Sequence, residues 1–228
     1  MCGRYTLAAN LDEVMDEFEL SEPIPLSPRY NIAPTQPAIV VRPCGEPAAG
    51  RREGSFLRWG LVPSWSRDAS GAARLINARS ETAATQPAFR AAFKRRRCLI
   101  PCSGFYEWER VDTGGKPKKL PHYFHPARGP LFGLAGLWER WEPPDGSVLE
   151  SFAILTTRAN GLLSRIHDRM PVIIGRDDYA AWLDPMTDAS RLASLMEPCD
   201  ERSMTSHRVD PRMNNPRVDE PACIAATV

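Results

Sequence analysis

Apolar residues recur along this chain with two periods, and the alternation between them predicts strands interrupted by short helices. Leu11, Val14, Met15 and Phe18 fall at helical spacing behind Asn10, with Glu13 as its reciprocal capping partner, which predicts a helix over residues 11 to 20. Pro23, Pro25, Pro28, Pro34 and Pro37 then exclude regular helix and predict an ordered, irregular wrap. β-branched and aromatic content predicts strands at Ala38 to Arg42, Ser55 to Leu61, Cys98 to Glu109, Pro121 to His125, Leu131 to Trp141 and Phe152 to Thr157. Helical patterns interrupt them at 80 to 94, 160 to 166, 177 to 183 and 188 to 196, the last two punctuated by Asp184-Pro185 and ended by Pro198. Gly114-Gly115-Lys116-Pro117-Lys118-Lys119, between two strand runs, reads as a hairpin loop or a longer mobile tip. The sum is an α+β fold with a mostly antiparallel β core and peripheral short helices. With no repeat, low-complexity tract or clean linker, residues 1 to 228 read as a single domain.

Composition narrows the classes. A 228-residue chain with 43% hydrophobic content can bury a substantial core. Its 29 basic and 28 acidic residues nearly cancel, so any nucleic-acid site must be a local patch rather than a property of the whole surface. No stretch approaches the roughly 20 apolar residues of a membrane helix, and the N-terminus has no signal-peptide core, so a cytoplasmic protein is expected. Cysteines at 2, 44, 98, 102, 199 and 223 do not form a dense disulfide framework, and reduced thiols are expected. Cys98 and Cys102 lack a second ligand pair at zinc-finger spacing and read as core.

Candidate chemistry begins at Met1-Cys2-Gly3-Arg4-Tyr5. Methionine before a small residue is normally trimmed, and trimming would leave Cys2 with an α-amine and a thiol on adjacent carbons. An α-amine with a pKa near 8 has a neutral fraction at pH 7 roughly 300-fold larger than that of a lysine, which suits it to imine formation. The neighbouring thiol can close on the imine carbon to give a five-membered thiazolidine, helped by the high effective molarity of an intramolecular step. The alternative for position 2 is a small residue in a frayed terminus. Gly3 permits close approach of another chain, and Arg4 offers a fork of donors suited to phosphate.

Three more segments accompany this one: Leu75-Ile76-Asn77-Ala78-Arg79-Ser80-Glu81-Thr82, Gly104-Phe105-Tyr106-Glu107-Trp108 and Ile166-His167-Asp168-Arg169-Met170-Pro171. With these motifs in this order, the chain resembles the SRAP (SOS response-associated peptidase) family from Cys2 to Asn214-Asn215-Pro216-Arg217. The resemblance implies a β-barrel-like core with peripheral helices, and a Cys2 that crosslinks to abasic sites in single-stranded DNA and shields them. It implies that Asn77 holds the N-terminal residue, that Glu107 is the general acid/base and that His167 shuttles protons during sugar ring opening. Arg4 and Arg79 would hold flanking phosphates, Thr156 would complete the polar site, and Pro34 and Trp65 would line the DNA path, with Arg169 among the DNA contacts. The expected partner is single-stranded DNA carrying abasic sites, with protein partners unknown, and the chain is expected to be a monomer, cytoplasmic and nucleoid-associated, with no membrane, metal or cofactor.

The residue types fit these roles on their own terms. An abasic sugar is mostly a closed hemiacetal, so a proton must move to expose its aldehyde. A glutamate among Phe105, Tyr106 and Trp108 is a candidate for the desolvation that raises a carboxyl pKa toward a useful range, with Glu109 on the same strand face as a competitor and pairing to an arginine as the alternative. His167 could equally satisfy a turn hydrogen bond, and Asn77 could cap the helix that follows it. Further DNA contacts would come from some of Arg51, Arg52, Arg90, Lys94, Arg95, Arg96, Arg97, Arg158, Arg165 and Arg169, although charge runs are often solvated faces. Where relatives often carry a second tryptophan after Pro63-Ser64-Trp65, this chain has Ser66 and a polar stretch, which weakens a base-wedging role there. Two rival functions remain open: a cysteine peptidase built on Cys2 and His167, with possible autoproteolysis or lyase-like chemistry, and a noncovalent single-strand lesion binder.

Overall fold

A computed structural model of the chain describes residues 2–45, 50–112, 114–115, 117–143 and 145–227; Met1, and Lys116 of the expected hairpin loop, lie outside the described residues. In chain order the elements are β1 (Tyr5–Leu7), α1 (Leu11–Phe18), β2 (Arg29–Ile32), β3 (Pro37–Pro43), β4 (Arg52–Trp59), β5 (Asn77–Arg79), α2 (Ser80–Ala83) and α3 (Arg90–Arg95). They continue with β6 (Arg97–Cys102), β7 (Gly104–Val111), β8 (Lys118–Pro126), β9 (Phe132–Trp141), β10 (Leu149–Arg158), β11 (Arg169–Pro171), β12 (Ile173–Ile174), α4 (Tyr179–Leu183), α5 (Ala189–Leu195) and β13 (Met204–Arg208).

Strands β3, β4, β10, β9 and β6 pair in a ring, because β10 hydrogen-bonds to both β4 and β9 and β6 joins β9 back to β3. Closure removes the exposed edges that an open sheet must protect. Val40, Leu57, Trp59, Leu99, Leu137, Phe152 and Ile154 are buried residues of these strands. Every residue of β6 is buried, a continuous pattern that arises because one face lines the barrel and α4 packs on the other. A second, five-stranded sheet runs in the order β13-β8-β7-β1-β2. The fold is the expected α+β arrangement with a mostly antiparallel, barrel-like core; β10 runs parallel to β4 and β5.

Several boundaries differ from the sequence pattern. The run from Cys98 to Glu109 is two strands in two sheets, broken at Ser103, whose N–H donates to the Thr6 carbonyl at 2.8 Å and whose Oγ accepts from the Ala8 and Ala9 amides. The helix expected over 80 to 94 is split into α2 and α3 around Pro87, which disfavours helical backbone at the residue before it. Residues 160 to 166 contribute only a single 3-10 turn at Leu163–Arg165. The Asn10–Glu13 capping box forms in both directions, at 2.8 and 2.9 Å, and α1 ends at Phe18 with Glu19 left-handed. All six cysteines are free thiols, and Cys98 and Cys102 are buried in β6. Among the described residues, no helix is long and apolar enough to cross a membrane.

Candidate active site

Cys2 is held where the two sheets meet. The residues after it enter β1, which pairs antiparallel with β7 through Tyr5↔Phe105 and Thr6↔Gly104, and the Tyr106 amide donates to the Arg4 carbonyl at 3.0 Å. Continued outward, that register sets Gly3 opposite Glu107. β7 can come this close to β8 because residue 104 is glycine: a Cβ there would lie 2.4 Å from the Tyr123 ring. From the barrel side, Asn77 Nδ2 donates to the Cys2 carbonyl at 2.8 Å. Asn77 lies on β5 beside Ile154, and the N-cap of α2 is Arg79, so the asparagine serves the N-terminal segment rather than the helix. Its Oδ1 is buried and, among the described residues, without a hydrogen-bond partner.

Burial, not alternation along β7, decides between the two carboxylates. Glu107 is only 2% exposed, whereas Glu109 is partly exposed and lies 3.1 Å from His122 Nε2 in a hydrogen bond. Burial pushes the Glu107 carboxyl up to about 7, and the Asp168 charge adds to the rise. Burial also pushes the Cys2 thiol well up, reinforced by the nearby Glu107 charge, so the protonated thiol is its resting form.

Because Glu107 is raised in the folded state from an ordinary value of 4.5, the stability it contributes is present below pH 4.5 and is lost as pH rises through 7. Glu107→Gln, neutral throughout, is therefore expected to be more stable than wild type at pH 8, by on the order of 2 to 3 kcal/mol, with the gap closing toward pH 4.5. Thermal melts across that range check this, and a gap that stays constant with pH would refute it.

His167 is half-buried, and its Nδ1 accepts from the Arg169 backbone N–H at 3.0 Å, which puts the proton of the neutral ring on Nε2. Burial lowers its pKa, and the Asp168 carboxylate 3.0 Å from Nδ1 opposes without reversing that shift. Arg169 is itself braced: it grips both Glu81 carboxylate oxygens, at 2.5 and 2.9 Å, and donates to the Thr156 carbonyl at 2.5 Å. Thr156 is buried on β10, opposite Arg79 of β5 and Pro171 of β11. One end of the barrel thus gathers a thiol, a raised carboxyl, a neutral imidazole and an unsatisfied amide oxygen.

The SOS response associated peptidase (SRAP) family model matches residues 1–216. The chain belongs to the SRAP family. Abasic site processing protein YoqW of Bacillus subtilis is 38% identical over 229 residues, covering 98% of this chain and 99% of its own length. Abasic site processing protein HMCES of Xenopus tropicalis is 33% identical over 199 residues, spanning 75% of this chain and 57% of its own. A crystal structure from Bacteroides thetaiotaomicron superposes with a TM-score of 0.88 at 24% identity over the whole of both chains, which shows the shared fold. Another, from Bordetella bronchiseptica, gives 0.75 at 27% identity over 92% of this chain and 100% of that one.

The arginines of this SRAP chain divide by what holds them. Arg4 points inward: Nη1 donates to Asn31 Oδ1 at 2.6 Å and to the Met213 carbonyl at 2.9 Å, and Nη2 donates to the Asn214 carbonyl at 3.3 Å. Arg97 is buried on backbone carbonyls of Phe93, Trp182 and Asp184, Arg96 pairs with Glu139, Arg52 with Glu19, and Arg158 with Glu197. Arg79, two residues beyond Asn77 on β5, is exposed. Trp65 is 67% exposed beside a cavity of about 380 Å³ that Pro63, Leu75 and Ala88 help to line, and Pro34 sits half-buried in a turn before left-handed Thr35. Among the described residues, neither Trp65 nor Pro34 bonds to the Cys2 cluster.

Three residues escaped the sequence analysis as site members: Asp168, Glu81 and Asn31. The first two lay inside recognised motifs. Asn31 lay in the proline-rich wrap, and no local signal marks it, because its Nδ2 donates to carbonyls of Met213, Asn215 and Val218, more than 180 positions away. That side chain ties the C-terminal segment to Arg4, while Trp108 Nε1 ties the same segment to Glu107's strand through Asn214 Oδ1 at 2.7 Å. Asn31→Leu would strand Arg4 and several buried carbonyls, an expected loss on the order of 3 kcal/mol by denaturant titration. A loss within experimental error of zero would show that water replaces the amide without cost.

Proposed function

We propose that loss of Met1 frees the Cys2 amine, and that Cys2 then forms a thiazolidine with the aldehyde of an abasic site in single-stranded DNA, shielding the lesion. The observation that carries this reading is a buried Glu107 carboxyl poised near neutral within electrostatic reach of the Cys2 thiol. The family match and the abasic site processing names of YoqW and HMCES support the substrate class.

The protonated Glu107 carboxyl gives its proton to the sugar ring oxygen while its other oxygen takes the proton of the anomeric hydroxyl, opening the hemiacetal, and the Nε2–H of His167 donates a hydrogen bond to the ring oxygen as that bond breaks. The Cys2 amine attacks the aldehyde carbon, and water leaves after protonation. The thiol then adds to the imine carbon, its proton moving through Glu107 to the ring nitrogen as the S–C bond forms. The unsatisfied Asn77 Oδ1 is the acceptor a freed amine would use, which holds its lone pair toward the sugar. Arg79 reaches the flanking phosphate, while Arg4 braces Cys2 from inside.

A peptidase reading needs only the thiol, in its thiolate form. Burial and the Glu107 charge favour the protonated thiol, which suits attack assisted by a base at the moment of bond formation over a standing thiolate.

Intact mass measurement before and after incubation with an abasic oligonucleotide tests the reading. The expected species lacks Met1 and gains the oligonucleotide mass less one water. A product that retains Met1, or no covalent product at all, overturns it.

A further inference from the structure

Away from the Cys2 cluster, cavities of about 630 and 430 Å³ share Arg95, Arg97 and Pro185 and so form one groove. Arg52, Arg96 and Arg97 in its lining already have carboxylate or carbonyl partners. Arg51, Arg90, Lys94 and Arg95 are exposed and make no ion pair among the described residues. Among the described residues Asp184 is the single carboxylate in the lining, and its Oδ1 already accepts from the Met186 amide at 2.9 Å. A chain of net charge +1 thus concentrates uncompensated positive charge in one channel.

We propose that this groove is a second, sequence-independent track for the phosphate backbone of single-stranded DNA running on from the Cys2 site. The proposal rests on the DNA substrate of the preceding section, but not on the covalent step. Arg90 and Lys94 lie four residues apart on α3, a rise of about 6 Å, which matches the reach between successive phosphates of an extended strand. The groove is also connected to the site. Arg79 is the N-cap of α2 and Ala84, its C-cap, lines the groove, so one helical turn separates the exposed arginine at the site from the channel. Apolar lining from Phe93, Trp138 and Leu183 can take sugars and bases without reading them. Cations in the last turn of α3 also offset its dipole, but that effect accounts for Lys94 and Arg95 and leaves Arg51 and Arg90 unexplained.

The test compares wild type with the triple variants Arg90→Gln, Lys94→Gln, Arg95→Gln and Arg90→Glu, Lys94→Glu, Arg95→Glu. Binding of fluorescein-labelled, undamaged oligothymidylates of about 8 and about 30 nucleotides is measured by anisotropy across a salt series. For the long oligomer, the slope of log affinity against log salt is expected to fall by about 2 in the glutamine variant, at about 0.7 per lost phosphate contact, and affinity to fall further in the glutamate variant. Short-oligomer binding and the crosslinking rate on a short abasic strand are expected to match wild type. Unchanged long-oligomer slopes overturn the proposal. So does capture of a labelled glutamate-rich peptide by wild type alone with DNA slopes unchanged, which would assign the groove to an acidic protein segment. If wild type forms no covalent adduct yet the slopes still fall, the groove stands and the Cys2 chemistry fails.

Discussion

Cys2→Ala is expected to abolish the denaturant-resistant complex with abasic single-stranded DNA, cutting its yield by about 1,000-fold or more while salt-sensitive binding survives. The size of the effect follows from the chemistry. The alanine keeps the α-amine, which can still form an imine, but an imine hydrolyses. Trapping depends on the adjacent sulfur, whose effective concentration at the imine carbon no solution thiol can match. On the proposed reading the noncovalent contacts would come from cations such as Arg79, which the substitution leaves in place, so binding should still weaken with salt. Denaturing gels alongside anisotropy under native conditions separate the two readouts. Wild-type crosslinking by the alanine variant would remove Cys2 from the mechanism, and loss of both signals together would point to a noncovalent lesion binder in which Cys2 shapes the surface.

An uncleavable extension ahead of Cys2 is expected to have as large an effect while leaving the thiol untouched. With its nitrogen in a peptide bond, Cys2 has no lone pair able to attack an aldehyde, and the adjacent-carbon pairing of amine and sulfur is lost. A thiol can still add to an aldehyde, but the hemithioacetal reverses and does not survive denaturation. No crosslink is therefore expected from the extended protein. A thiol peptidase would tolerate the same extension, since its acyl intermediate needs sulfur alone. Persistent crosslinking by the extended chain, verified by mass to retain every added residue, would refute the aminothiol mechanism.

The comparison between Glu107 and Glu109 shows where sequence patterning stops. Both sit on one strand two positions apart, and period-two alternation gives them the same face. What separates them is the neighbour each meets: Glu109 is partly exposed and meets His122 of β8, while Glu107 is covered where β1 pairs with β7. Arg4 makes a similar point. Its guanidinium suits phosphate in isolation, yet Asn31 and the carbonyls of Met213 and Asn214 occupy its donors. Those partners lie 27 and 209 to 210 positions away, beyond the reach of any local pattern.

The sequence alone determined the chemistry on offer: an aminothiol in waiting at Cys2, four motifs in order, and long strands legible from their β-branched and aromatic runs. It also set the α1 cap, because that bond closes within four residues. Only the tertiary structure decided which carboxyl is desolvated, which arginines are spent on the fold, and that β1, β2, β5 and β11 exist at all. Strands of three or four residues carry too few side chains to show a period, and they form because a neighbouring strand supplies their hydrogen bonds. Burial is likewise a property of what folds over a residue, so proton affinities at this site became readable only once the two sheets met around Cys2.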